Sequence, residues 1–263
     1  DVYKRQVQDA CTGVEFVNCD FRRADRPLPA GSVVCADDYD GHLQGVATDG
    51  AALYWSFTKM IVKTDLKGRV LVSTRQPSHQ GDCCVKDGLL YVAVNLGRFN
   101  TETGGVSGVW AYDTRDLALK QKWDVPQLVH GAGGITWHDG LFYVVGGLPP
   151  THTRNYVYAY TPDFQFLRRH DLATGYTVLG IQTATFLRDR VVFGCYSSKQ
   201  FPIRTLVCPP DLASFTTAPE STDVGVVELD GHILCARTRK TGAQTWGGFL
   251  VPSKTLFVNQ RSN

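Results

Sequence analysis

A short apolar run, an Asp-Gly pair and a second apolar run recur along this chain in five imperfect copies. The segment Gly45 to Gly50 followed by Leu53 to Phe57 returns as Cys83 to Gly88 with Leu89 to Val94, and as Ile135 to Gly140 with Leu141 to Val145. Ala184 to Asp189 with Arg190 to Gly194, then Val226 to Gly231 with His232 to Ala236, complete the series. The turn aspartates Asp49, Asp87, Asp139, Asp189 and Asp230 set a period of roughly 40 to 50 residues, the length of a four-stranded propeller blade. Asp-Gly between two β-rich runs supplies the positive φ angles of a tight hairpin. The fourth copy has Arg190 in place of the glycine and is expected to turn differently.

A second hairpin follows each first one, as in Ile61 to Val72 around Asp65 and Gly68. Comparable pairs are Val109 to Tyr112 with Leu119 to Trp123, Tyr156 to Tyr160 with Phe164 to Arg168, Thr205 to Val207 with Ala213 to Thr216, and Phe249 to Val251 with Leu256 to Val258. Four strands per copy and no long amphipathic helical pattern predict an all-β chain, a five-bladed β-propeller with four antiparallel strands per blade. The expected blades cover residues 42–76, 79–126, 130–175, 178–218 and 221–260, within a single domain over 7–263. Residues 13–20 are read as a strand that closes the ring. Residues 1–6 resemble an in-frame translation of a sequencing-library adapter, so they are set aside and the natural amino terminus is expected to be missing.

Charge narrows the partners. Lys and Arg number 27 against 25 Asp and Glu, a net +2 with no basic cluster, so neither nucleic acid nor an anionic membrane is expected. No apolar run reaches the roughly eighteen residues of a membrane span. The eight cysteines contain no Cys-x-x-Cys spacing, and buried thiols are expected rather than a zinc site. A monomer is expected, in the periplasm or outside the cell.

The run Asp49 to Phe57 with Ile61 to Gly68 resembles the Tyr-Trp-Thr-Asp repeat of receptor and gluconolactonase-type propellers, with Tyr54-Trp55-Ser56 standing for Tyr-Trp-Thr. The resemblance implies the fold and assigns no catalytic residue.

In such a ring, residues just upstream of each first strand meet at one channel mouth. Here they are His42 and Gln44, His79, Gln80 and Asp82, His130, Gln182, and Asp223. Three of the seven histidines share one repeat phase, seven to nine residues before the turn aspartate. Glycines beside them, including Gly41, Gly45, Gly81, Gly131, Gly133 and Gly134, are read as leaving room near the axis for backbone or ligand. His42, His79 and His130 are therefore the candidate catalytic residues, one of them acting as base or all three holding a divalent metal. With Gln182 they resemble, in residue types, the manganese site of oligogalacturonate lyases, which are also propellers. That resemblance implies His42, His79, His130 and Gln182 as ligands to Mn, Zn, Fe or Ca. Gln44, Gln80, Asp82 and Asp223 are expected to bind substrate, joined by Arg98 and Arg154 if their long loops share the histidine face.

The expected function is that of a bacterial carbohydrate-active enzyme, a polysaccharide or oligosaccharide lyase or an atypical glycoside hydrolase, acting on a small-molecule or oligosaccharide substrate without an organic cofactor. An ordinary two-carboxylate glycosidase is disfavoured because His130-Gly-Ala-Gly-Gly opens the third blade without an acid. The alternative is a non-catalytic propeller that captures a glycan or peptide. A gluconolactonase-like metal hydrolase ranks third, because the Asn and Glu of its calcium set have no counterpart beside Asp82 and Asp223. His138, His152, His170 and His232 lie out of phase and are expected to be structural or exposed.

Overall fold

The computed structural model describes residues 27–257, which form five antiparallel sheets and no helix. Two short strands come first, β1 (Val33–Val34) and β2 (Tyr39–Asp40). Blade 1 is β3 (Leu43–Thr48), β4 (Leu53–Phe57), β5 (Met60–Thr64) and β6 (Val70–Arg75). Blade 2 is β7 (Gln80–Lys86), β8 (Leu89–Asn95), β9 (Ser107–Asp113) and β10 (Leu119–Asp124). Blade 3 is β11 (Ala132–His138), β12 (Leu141–Gly146), β13 (Asn155–Tyr160) and β14 (Phe166–Leu172). Blade 4 is β15 (Val178–Leu187), β16 (Arg190–Tyr196), β17 (Thr205–Cys208) and β18 (Thr216–Ala218). Blade 5 combines β19 (Val226–Leu229), β20 (His232–Lys240) and β21 (Thr245–Pro252) with β1 and β2 on its outer edge.

The blades bind one another through apolar layers. One such layer lies between blades 1 and 2 around Tyr54, Ile61 and Leu90, and another between blades 5 and 1 around Trp55, Phe57 and Leu250. Tyr91 and Phe142 join blades 2 and 3, Val145 and Phe193 join blades 3 and 4, and Val192 and Cys235 join blades 4 and 5. The outermost strands β10 and β14 are largely exposed, so the sequence signal is strongest on the inner three strands of each blade.

Three expectations are corrected. The last blade takes its outer strand from the start of the described chain, Val33 pairing with Leu250 and Tyr39 with Trp246, in place of a hairpin between Phe249 and Val258. This joins the two ends of the ring and covers an edge that would otherwise be open. Residues 1–6 and the segment 13–20 lie outside the described residues, as do Cys11, Cys19 and Val258. The fourth turn keeps the two-residue geometry, with both Arg188 (φ 48°) and Asp189 (φ 56°) left-handed and Leu187 paired to Arg190. It is the first copy that departs: Thr48 pairs with Leu53 across a longer loop, where Asp49 accepts hydrogen bonds from the amides of Ala51 and Ala52 and from the Tyr54 hydroxyl.

The third correction concerns the axial glycines. A Cβ on Gly45 would lie 2.1 Å from Asp82 Oδ1, one on Gly81 2.3 Å from the carbonyl of Gly133, and one on Gly134 2.9 Å from Thr183 Cα. These glycines let neighbouring inner strands touch; the space they leave is taken by protein. The six described cysteines are all free thiols, and burial raises the pKa of each.

Candidate functional site

The inner strand of every blade is a sheet edge whose outward amides face the axis, and buried amides need acceptors. Asp82 supplies one at the centre. Its side chain is fully buried, Oδ2 accepts from the Ala184 amide at 2.9 Å, and the amides of Cys83, Ile135 and Val46 also act on it. Those four amides belong to the inner strands of four blades. Burial drives this carboxyl well above the usual carboxylate range, and the amides work in the opposite direction. Threonine hydroxyls stitch other inner edges, Thr136 Oγ1 accepting from the Phe186 amide and Thr183 Oγ1 donating to the Thr222 carbonyl.

Above Asp82, at the end where β3 and β7 begin, His42, Gln44 and His79 come together. His42 Nδ1 lies 2.9 Å from the Leu43 carbonyl, which can only accept, and 3.3 Å from Gln44 Nε2; the shorter carbonyl contact favours the proton on Nδ1, with the Nε2 lone pair turned to Gln44. Gln44 Nε2 lies 3.0 Å from His42 Nε2 and 3.0 Å from His79 Nε2, and 3.2 Å from Thr58 Oγ1. One amide thus bridges two imidazoles from two blades. Burial, with a smaller contribution from the charge of His42, lowers His79 to a pKa of about 3. Two aromatic rings flank the trio edge-on: Trp246 at 5.8 Å from His42, and Phe99 at 5.0 Å from His79.

His130 has different neighbours. Its Nδ1 is 2.8 Å from the Thr101 carbonyl, and its ring lies 4.9 Å from that of His152. His152 Nε2 in turn meets the Glu102 carboxylate at 3.0 Å. Gln182 donates to the Leu179 carbonyl at 2.7 Å. The set His42, His79, His130 and Gln182 therefore does not fit a single metal ion: Gln44 stands between two of its members, and the other two point into contacts of their own.

The remaining sequence candidates divide between interior and surface. Gln80 does not reach the surface; its amide donates to the Pro77 carbonyl and its oxygen accepts from the Tyr112 hydroxyl. Asp223 is buried beside Ser221, which donates to it, and burial raises its pKa. Arg98 and Arg154 are exposed on loops that do share the histidine face, since the Asn100 amide donates to the His130 carbonyl and the His152 ring lies 4.9 Å from that of His130. Phe99, Trp246 and Glu102 were not among the expected site residues, and His152 was expected to be structural or exposed. The first two carry no motif, and the last two sit on irregular loops without a repeat phase.

The opposite mouth is a separate cavity of about 270 Å³ of mixed character, lined by Val46, Val85, Trp137 and Phe186 together with Thr136 and Glu228. A larger groove of about 860 Å³ runs along blade 5 between Gly31, Leu229, His232 and Leu256, away from the histidines.

Fold and site together define a five-bladed propeller with a cluster of two histidines and a glutamine at one axial mouth. The chain matches no protein-family model and no curated protein. Among solved structures it is similar to a protein of unknown function from Bacteroides caccae, at 13% identity and a TM-score of 0.48, over 87% of this chain and 85% of that one. It is also similar to the WD40 repeats of RRP9, at 12% identity and a TM-score of 0.47, over 80% of this chain and 61% of that one. A nidogen/laminin complex matches at 13% identity and a TM-score of 0.44, over 66% of this chain and 62% of that one. At such identities the likeness is one of fold alone.

Proposed function

We propose that this protein captures a carbohydrate at the mouth formed by His42, Gln44 and His79. The observation that carries the reading is the Gln44 amide held 3.0 Å from both imidazole Nε2 atoms, with Trp246 and Phe99 edge-on beside them. Neutral donors and acceptors between aromatic rings suit hydroxyl groups and the apolar face of a sugar ring. They do not suit a strongly charged ligand.

Lyase or hydrolase action on the same carbohydrate is the second reading, favoured by the phase that brings His42 and His79 to one place. Capture without turnover ranks above it for a physical reason. A general base works best with a pKa near the working pH, and His79 at about 3 is far below it. Of the carboxylates in phase, Asp82 is fully buried, and Asp223 is no more exposed than His79.

Neutral and acidic oligosaccharides incubated with the protein, with affinity and product mass both measured, test the proposal. Binding with unchanged masses is expected, and His42→Ala and Gln44→Ala should each weaken it at least about tenfold, the loss of one or two good hydrogen bonds. Chain cleavage or a new unsaturated product would favour the enzymatic reading. Binding that neither substitution alters would remove this mouth from consideration.

A further inference from the structure

We infer that Glu102, His130 and His152 form a binding site for one divalent transition-metal ion of the zinc class, on the loops that rim the same face. The inference stands on its own geometry and is independent of carbohydrate capture. Each ligand comes from a different connection: Glu102 from the β8–β9 loop, His130 from the segment between β10 and β11, and His152 from the β12–β13 loop. One oxygen of Glu102 and one ring nitrogen of each histidine all lie within 4.8 Å of one another.

What separates this trio from a surface ion pair is how its members are oriented. His130 is buried, and its Nδ1 is 2.8 Å from the Thr101 carbonyl, which can only accept; Nδ1 therefore holds the proton and Nε2 is left as the coordinating atom. His152 Nδ1 lies 3.1 Å from the Tyr156 hydroxyl, and its Nε2 faces both Glu102 oxygens at 3.0 and 3.1 Å. Thr151 Oγ1 donates to Glu102 Oε1 at 3.0 Å. The Tyr156 ring lies along His130, 6.1 Å between centroids and 29° between planes, with the Arg169 guanidinium over it at 4.2 Å. Partners on the far nitrogen and on the carboxylate are what metal-binding histidines and carboxylates require, because they fix tautomer and ring direction.

Glu102 and His152 alone would account for an ion pair. They do not account for the buried third imidazole turned edge-on toward them. Bonds of about 2.0 to 2.2 Å to nitrogen and oxygen call for ligand atoms about 3.4 Å apart, closer than the widest spacing here, so the side chains must draw together on binding. Two imidazoles and a carboxylate favour Zn²⁺ or Co²⁺ over Ca²⁺ or Mg²⁺, and three protein ligands leave a coordination position for water or a ligand group.

Protein stripped with a chelator and titrated with Co²⁺ and with Zn²⁺ tests the site. One ion per chain is expected, with visible cobalt absorption of a low-coordinate site that Zn²⁺ displaces. Glu102→Gln should weaken binding at least about tenfold and His152→Ala should abolish it, whereas His42→Ala should leave it intact. Glu102 is exposed and the glutamine is isosteric, so that variant keeps the fold and decides the matter even if His152→Ala is unstable. Absence of stoichiometric binding, equal binding by Glu102→Gln, or loss in His42→Ala would each overturn the assignment.

Discussion

Asp82→Ala should lower the unfolding free energy by about 3 kcal/mol or more, because a buried amide loses its acceptor and a cavity is left at the axis. The size follows from position. The Ala184 amide donates to Oδ2 at 2.9 Å, the amides of Val46, Cys83 and Ile135 favour the ionised carboxyl from nearby, and a buried amide left without its acceptor costs about 1 to 3 kcal/mol. Gly45 itself offers no side chain to replace the lost acceptor. Asp82→Asn keeps the shape and one acceptor oxygen but turns an NH₂ toward backbone donors, so about 1 to 3 kcal/mol is expected for it. Urea denaturation of both variants at neutral pH measures the effect. If each fell within about 0.5 kcal/mol of the parent, as ordinary surface substitutions do, the blades would have to be held at the axis by something other than this residue. Domains of this kind are stable by only about 5 to 15 kcal/mol, so the alanine variant is expected near the limit of folding and the asparagine variant carries the quantitative comparison.

Asp82 also marks the boundary of what the chain reveals before it is folded. Asp-Gly pairs between apolar runs are local signals with a local cause, and they located the inner hairpins of blades 1, 2, 3 and 5. The phase of His42 and His79 was legible for the same reason: a fixed distance from a turn becomes a fixed height along the axis. The closing strand was not legible, since Val33–Val34 and Tyr39–Asp40 are too short to show alternation and their pairing with β21 is fixed only by the ring. A polar residue before a strand reads as loop, so Asp82 and Gln80 looked available to substrate. Only the convergence of inner edges creates a demand for an acceptor at the axis. His130 shares the repeat phase but belongs with Glu102 and His152, because the long β8–β9 and β12–β13 loops fold over it, and loop length carries no periodic signal.

Between pH 6.5 and pH 4 the protein should lose about 3 kcal/mol more stability than its His79→Gln variant, from the titration of this one imidazole. The unfolded chain takes up the proton at pH 6.5, while the native state refuses it until about 3. Over that interval the unfolded state binds more protons, so each unit of acidification costs about 1.4 kcal/mol, and the stabilisation present near pH 7 drains away as pH falls. Below about 3 both states are protonated and the difference stops growing. Carboxylates held low by partners, such as Glu220 beside Ser253 and Asp49 beside Tyr54, also lose stability in acid, but they are distant from His79 and cancel between the two proteins. Urea midpoints at half-unit pH steps give the comparison, and parallel curves would show that His79 is not held neutral. The same titration reaches the proposed ligand mouth: a proton on His79 Nε2 would face the Gln44 NH₂ that now donates to it, and charge would enter a cluster built from neutral groups. Carbohydrate affinity is therefore expected to be lost where His79 takes up its proton, because the Gln44–His79 contact must break before that proton can be accommodated.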